Sequence, residues 1–342
     1  MKKLIKINWF CLYLIMLLLF NSCFEKEKPI APYQFTGLLF PIKQSIYINQ
    51  LFYSFENNMI MGSSPNGAWD LCFESSSQGW HIRENSSNFI EIYRADTTNF
   101  EADFTANRYS KINGLEWSFD KSNGNPDSTA VGTWVNTTVR PFVYTGQVYL
   151  VGQWNGTASV PLKKMVFTMV NDTSYRFIYA NLDGSDSMQV IIKKDTSCNN
   201  SYFSITQKNQ VTIEPKRYTW DILFTQYIAS LPYQGSFIPY PVRGVLLNPN
   251  HVSVGLDSVM TFANITINNI SAIQFSTLTD FIGYDWKSVS INYQANTGTY
   301  SLISDYNYIV HDVAGNYYKF KFLSFYNARD QEGYPAFEVS KM

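Results

Sequence analysis

Charge is scarce in this chain. Of 342 residues only 15% are Asp, Glu, Lys or Arg, and the net charge is -1, where ordinary globular domains carry about 25% charged residues. So balanced a chain has no clustered Lys and Arg with which to hold a phosphate backbone, so nucleic acid is excluded as a partner. Histidine is sparse as well. His81, His251 and His311 are the whole set, and none stands in the HxxxH, HxH or His–Asp–Ser arrangements of zinc hydrolases and triads. The four cysteines include no CxxC pair, which leaves a structural zinc site without support. GxGxxG and P-loop signatures are missing too. No helix of the usual length is legible. The best helical option, residues 222 to 231, opens Trp220-Asp221-Ile222-Leu223-Phe224 and fits a strand better.

Aromatic rings take the place of charge. They make up 17% of the chain, with 24 Tyr and 25 Phe. With Val, Ile and Thr this composition favours strands and is too apolar for disorder. The length suits two ordinary domains or one large β domain. A surplus of Tyr and Trp packs a β core and can also line a ligand groove.

The N-terminus reads as a targeting segment. Lys2, Lys3 and Lys6 precede an apolar run from Ile7 to Phe20, about fourteen residues, which is short for a spanning helix. The run ends Leu19-Phe20-Asn21-Ser22-Cys23, which resembles a bacterial lipobox. Residues 1–22 are therefore expected to be a lipoprotein signal peptide, with Cys23 the lipidation site and residues 23–35 a polar tether. Such an anchor tethers a protein to the membrane without spanning it. Acidic residues soon after Cys23, interleaved with lysines, resemble the export signals of surface lipoproteins of Bacteroidetes. The expected location is the outer membrane, at the cell surface or on the periplasmic face. Cys72 and Cys198 remain in the body of the chain and read as free thiols, although a disulfide is compatible with an exported protein.

Two stretches organise the rest. Trp69-Asp70-Leu71-Cys72-Phe73 and Trp220-Asp221-Ile222-Leu223-Phe224 each read as a strand opened by Trp-Asp. Alternation puts Trp69, Leu71 and Phe73 on one face, with Asp70 and Cys72 on the other. Each follows an aromatic strand and a turn, residues 51–55 before the first and 202–205 before the second. Each is followed by a variable middle and a glycine-turned hairpin, at Asp183-Gly184 and at Gly315. The order predicts an internal repeat and an all-β fold of two related, mostly antiparallel halves with little helix: residues 36–195 and 196–342. Further strands are predicted at 45–48, 89–93, 115–119, 139–144, 147–154 and 164–170. Trp69 and Trp220 are expected to fill the core of their own halves. Asp70 and Asp221 are expected to tie down neighbouring turns through backbone hydrogen bonds, although paired carboxylates also suit glycoside hydrolysis.

The C-terminal part carries a family resemblance. Ile282-Gly283-Tyr284-Asp285-Trp286-Lys287, Tyr308-Ile309-Val310, the stretch from Gly315 to Phe322, Phe325-Tyr326-Asn327 and Gly333 to Glu338 resemble, in that order, the HmuY family. Tyr202-Phe203-Ser204 and Trp220-Asp221 fit its earlier strands. The resemblance implies an all-β lipoprotein, not an enzyme, that captures haem or another tetrapyrrole and delivers it to a TonB-dependent outer-membrane receptor. It also implies two axial iron ligands, His or Met. The loop 291–298, where one is expected, holds neither, and Tyr293 is the residue there able to bind ferric iron through oxygen. His251 and Met260 are the candidates for the other. The missing ligand keeps a second reading open: a surface interaction module, either a receptor accessory subunit or a glycan-binding adhesin, with no haem cofactor.

Overall fold

Alternating apolar residues and Gly- or Asn-centred turns build strands almost throughout. The computed structural model describes residues 35–106, 116–153, 160–292, 294 and 297–342. The signal segment, Cys23 and Tyr293 lie outside the described residues. Apart from short 3-10 turns, the regular elements among those residues are β-strands, and all their pairings are antiparallel.

Two pairs of sheets enclose two cores. One pair consists of a six-stranded sheet ordered Leu38–Pro41, Glu332–Lys341, Tyr317–Tyr326, Asn307–His311, Ser253–Asp257, Phe275–Ser276, and a four-stranded sheet ordered Ser236–Leu247, Ile222–Tyr233, Asn49–Ser54, Met59–Pro65. Leu51, Tyr53, Phe224, Trp286, Phe322 and Phe337 pack in its core. The other pair consists of a five-stranded sheet ordered Met188–Lys193, Ser174–Asn181, Lys163–Val170, Val148–Gln153, Ile90–Ala95, and a four-stranded sheet ordered Asn209–Val211, Asn200–Ser204, Leu71–Glu74, Ile82–Glu84. Its core includes Leu71, Phe73, Trp134, Phe167, Phe177 and Phe203. The hairpin of Ser174–Asn181 and Met188–Lys193 turns at Asp183-Gly184 as expected, with Gly184 at φ 89°, a conformation a Cβ would strain.

Strands from either side of residue 195 pair with each other. Tyr53 stands opposite Ile222, Cys72 stands opposite Tyr202, and Leu38–Pro41 pairs with the C-terminal strand. The cores therefore divide the chain differently from a cut at 195/196: residues 71–205 supply one, and residues 42–55 together with 222–339 supply the other. Thr36–Met342 forms one compact unit. A third, smaller cluster of Phe52, Trp69, Cys72, Tyr202, Ile213 and Trp220 has its own packing, separate from both cores.

That cluster corrects two expectations. Trp69 shares a side with Cys72, not with Leu71 and Phe73, and neither Trp69 nor Trp220 belongs to a main core. The strands begin at Leu71 and Ile222, one residue after the Asp. Ahead of Leu71 a 3-10 turn, Asn66–Ala68, bends the chain, so alternation cannot be carried back to the tryptophan. The strand expected at 45–48 is a turn, closed by the amides of Ile48 and Asn49 donating to the Ser45 carbonyl. The return strand Ser236–Leu247 is not evident in the sequence because Pro239 and Pro241 interrupt it. They are accommodated at a sheet edge, where an N–H can be dispensed with. Gln234 and Gly235 turn this hairpin with φ 48° and 81°, the paired positive values of a tight β-hairpin.

Candidate functional site

Two hairpins each carry a group of exposed apolar side chains. The first pairs all twelve residues of Ile222–Tyr233 with Ser236–Leu247, a ribbon about 40 Å long at ~3.3 Å per residue. Only Ile222–Phe224 also pairs with the neighbouring strand, at Leu51–Tyr53. Beyond that point Tyr233, Phe237 and Tyr240 are 55%, 70% and 49% exposed. The second hairpin, Lys287–Asn292 with Thr297–Leu302, is a two-stranded sheet of its own and exposes Val289 and Ile291.

The bases of the two arms are fastened together. Lys287 Nζ donates to the Arg243 carbonyl at 2.5 Å and lies over the rings of Trp286, at 4.3 Å, and Phe325, at 4.8 Å. Burial pushes its pKa down to about 7, against the attraction of Asp285. Trp286 in turn stacks on Phe322 at 3.8 Å, inside the core. The Arg243 guanidinium covers the Tyr47 ring at 4.2 Å, and Tyr47 Oη donates to Glu332 at 2.8 Å. The arms are thus held rigidly at the root while their distal faces stay uncovered.

The candidate ligands His251 and Met260 stand in different surroundings. His251 is exposed, in a turn at φ 64°. Met260 is half-buried, with its sulfur accepting from Asn269 Nδ2 at 3.4 Å. Strand Ser253–Asp257 lies between these two alternatives in sequence. Neither the described residues of the two arms nor those of the seam cluster include a His or Met ligand pair. Among the described residues no group of three or more His, Cys, Asp or Glu is placed to hold a metal ion. The described residues of the arms carry four phenols, those of Tyr227, Tyr233, Tyr240 and Tyr300, of which Tyr227 is buried.

The Trp-Asp segments are bound to each other. Asp70 Oδ2 accepts the Ile205 amide at 2.7 Å, in the turn that precedes the second segment. Asp221 Oδ2 accepts the Phe55 amide at 2.7 Å, in the turn that precedes the first. Trp69 meets Tyr202 edge-on at 4.9 Å and Trp220 meets Phe52 edge-on at 4.9 Å. Asn85 Nδ2 donates to the Trp69 and Asn66 carbonyls, and Asn248 Nδ2 to those of Trp220 and Arg217. Both aspartates have pKa values raised to about 6 by burial, partly offset by the amides they accept. With their oxygens committed to the backbone, they serve as clamps. Asn85 and Asn248 escape a sequence reading because they lie 16 and 28 residues from the tryptophans they fix, with no shared motif. Cys72 is a buried free thiol and Cys198 a half-buried one.

The fold defines an all-antiparallel β protein in which two cores meet at a shared seam and two hairpin arms project from one of them. The family described as HmuY protein matches residues 46–339, and the chain belongs to that family. Among solved structures it is similar to a candidate lipoprotein from Bacteroides fragilis (14% identity, 52% of this chain and 88% of that one, TM-score 0.24). It is also similar to a candidate HmuY-like haem-binding protein from Bacteroides vulgatus (15%, 52% and 90%, TM-score 0.22). A third is the apo HmuY analogue of Tannerella forsythia (11%, 49% and 89%, TM-score 0.23). No curated protein matches the chain.

Proposed function

We propose that the protein is a lipid-anchored, non-catalytic ligand-capture protein that holds haem or another tetrapyrrole against its two hairpin arms. The observation that carries this reading is the exposure of Tyr233, Phe237, Tyr240, Val289 and Ile291 on arms rooted to one another through Lys287 and Arg243. A flat apolar ring system covering such residues gains about 25 cal/mol per Å² of surface removed from water. Family membership supports the same class of ligand. Haem would be held chiefly by its macrocycle, with a phenolate of the arms as the available iron ligand. Cys23 would carry the lipid, on the outer membrane, and a TonB-dependent receptor would take the ligand on.

Titration with hemin and, in parallel, with metal-free protoporphyrin IX tests this. A saturable change of the Soret band is expected with both, since the rings and not an iron-ligand pair hold the macrocycle. Phe237→Ser combined with Tyr240→Ser is expected to weaken both by at least about tenfold. No saturable change with either compound would remove tetrapyrroles as the ligand. The scarcity of His and Met on the described arms favours one other reading, in which the same aromatics dock an outer-membrane receptor directly. A pull-down from outer-membrane extract that depends on Phe237 and Tyr240 but not on hemin would select it.

A further inference from the structure

A cleft of about 450 Å³ runs along the seam, inside the roughly 300–1,000 Å³ range of small-molecule sites. Trp69, Trp220, Phe52 and Tyr202 supply its aromatic surface, and none of the exposed arm residues invoked above lines it. It reaches the root of the first arm, at Leu223, Tyr227 and Leu246, and not the exposed distal faces.

Unused hydrogen-bonding capacity marks the cleft. Glu84 Oε2, Asp120 Oδ2, Arg217 Nε, Trp220 Nε1, Tyr227 Oη and Asn250 Nδ2 are buried without a hydrogen-bond partner, and all six side chains line the cavity. Glu84, Trp220 and Tyr227 are 4%, 4% and 2% exposed. Each such atom costs about 1–3 kcal/mol, and native proteins hold few of them. Six around one cavity are a set awaiting a partner. Two of them are already aimed. Glu84 Oε1 accepts the Asp120 amide at 2.9 Å and Asp120 Oδ1 accepts the Ala130 amide at 2.6 Å, which fixes each carboxyl and leaves its second oxygen over (that of Asp120 has only Arg83, at 3.8 Å).

The balance of this set selects the ligand. Two carboxyl oxygens can accept, the indole, guanidinium and amide nitrogens donate, and the phenol does either. The lining carries charge of both signs, Glu84, Asp120 and Glu214 with Arg83, Lys121 and Arg217, so a ligand of either charge would meet its like. A cation would leave the donors of Trp220, Arg217 and Asn250 unmet. Hydroxyl groups donate and accept together, and the C–H faces of a sugar ring suit indole and phenyl surfaces. We infer that the seam cleft is a binding site for a neutral polyhydroxylated molecule of one or two sugar rings.

The test titrates the full protein with glucose, galactose, N-acetylglucosamine, maltose and lactose, with glucosamine and glucuronate as charged counterparts. Calorimetry and the indole N–H resonance of Trp220, assigned through Trp220→Phe, follow binding. At least one neutral sugar is expected to bind saturably, to shift that resonance and to bind more tightly than the charged forms. Tyr227→Phe is expected to weaken it about three- to tenfold, the worth of one hydrogen bond. The same variant should unfold at a higher temperature, because it deletes a buried hydroxyl that has no partner in the free protein. Asn250→Ala gives the same loss of affinity from a turn position and guards against a folding defect in the first variant. Absence of binding by every neutral sugar overturns the inference. So does tighter binding of a charged form, or affinity untouched in both variants.

Discussion

The two Trp-Asp segments share a backbone arrangement and differ in how completely their polar atoms are used. Each aspartate clamps the turn ahead of the other segment, and each tryptophan meets an aromatic ring from the other segment's preceding strand. In the first segment the indole N–H of Trp69 donates to Gln50 at 2.9 Å. In the second the indole N–H of Trp220 is buried without a partner, and Asn200, one methylene shorter, occupies the place two residues before Tyr202 that Gln50 occupies before Phe52. The aspartates diverge the other way. Asp221 accepts a second short bond from a backbone amide, that of Val313 at 2.9 Å, where Asp70 adds a 3.5 Å bond from the Asn88 side chain and a weaker interaction with the Thr206 amide. Each copy of the scaffold thus leaves a different polar atom less well satisfied, and both tryptophans line the cleft.

The widest separation between the copies is expected from the aspartates. Asp221→Ala removes two short bonds to backbone amides, one buried and one part-buried, and should cost about 4 kcal/mol, whereas Asp70→Ala removes one short buried bond and weaker ones and should cost about 2 kcal/mol. Urea unfolding measures both, and equal losses would mean that the Val313 bond contributes nothing.

A titration ranks next and should make the copies look alike. Both carboxyls have pKa values raised from 3.8 to about 6 by burial. Between those values the native state binds more protons at these two groups than the unfolded chain, so their contribution to stability is greatest below about pH 4 and falls as pH rises through 6. Each group accounts for about 2 kcal/mol of that fall between pH 4 and pH 6. Asp70→Asn and Asp221→Asn should each remove that amount of pH dependence from the unfolding free energy. A variant with an unchanged slope would show that its carboxyl stays ionised in the native state.

The smallest effect concerns the indoles. Trp69→Phe loses a hydrogen bond and strands Gln50, so it should cost about 1 kcal/mol more than Trp220→Phe, which loses none. Denaturation midpoints of the two variants give the difference directly.

Much of the scaffold is legible in sequence because its causes are local. The Asp183-Gly184 turn, the strands around it and the hairpin at Gly315 follow from side-chain alternation and the need for positive φ. Reading failed where a longer-range constraint prevailed. The turn at 45–48 is tied to the C-terminal strand by the Ile46 amide, which donates to the Gly333 carbonyl at 2.9 Å, and Ser236–Leu247 is a strand despite its prolines because it lies at an edge. Of the candidate ligands, His251 and Met260 were identifiable as residue types, yet nothing in the sequence shows that one is exposed in a left-handed turn and the other half-buried against Asn269. Glu84, Asp120 and Tyr227 gave no signal at all, being ordinary residues in ordinary strands and loops until the seam closes around them.

Composition and pattern alone determined that this chain makes antiparallel β structure around aromatic cores, because propensity, alternation and turn chemistry act over a few residues. Which strands exchange partners across the seam, which polar atoms find a partner and which are left facing the cleft were decided only in the tertiary structure. Those outcomes depend on residues more than a hundred positions apart arriving within 3 Å of one another, and no local rule carries that distance.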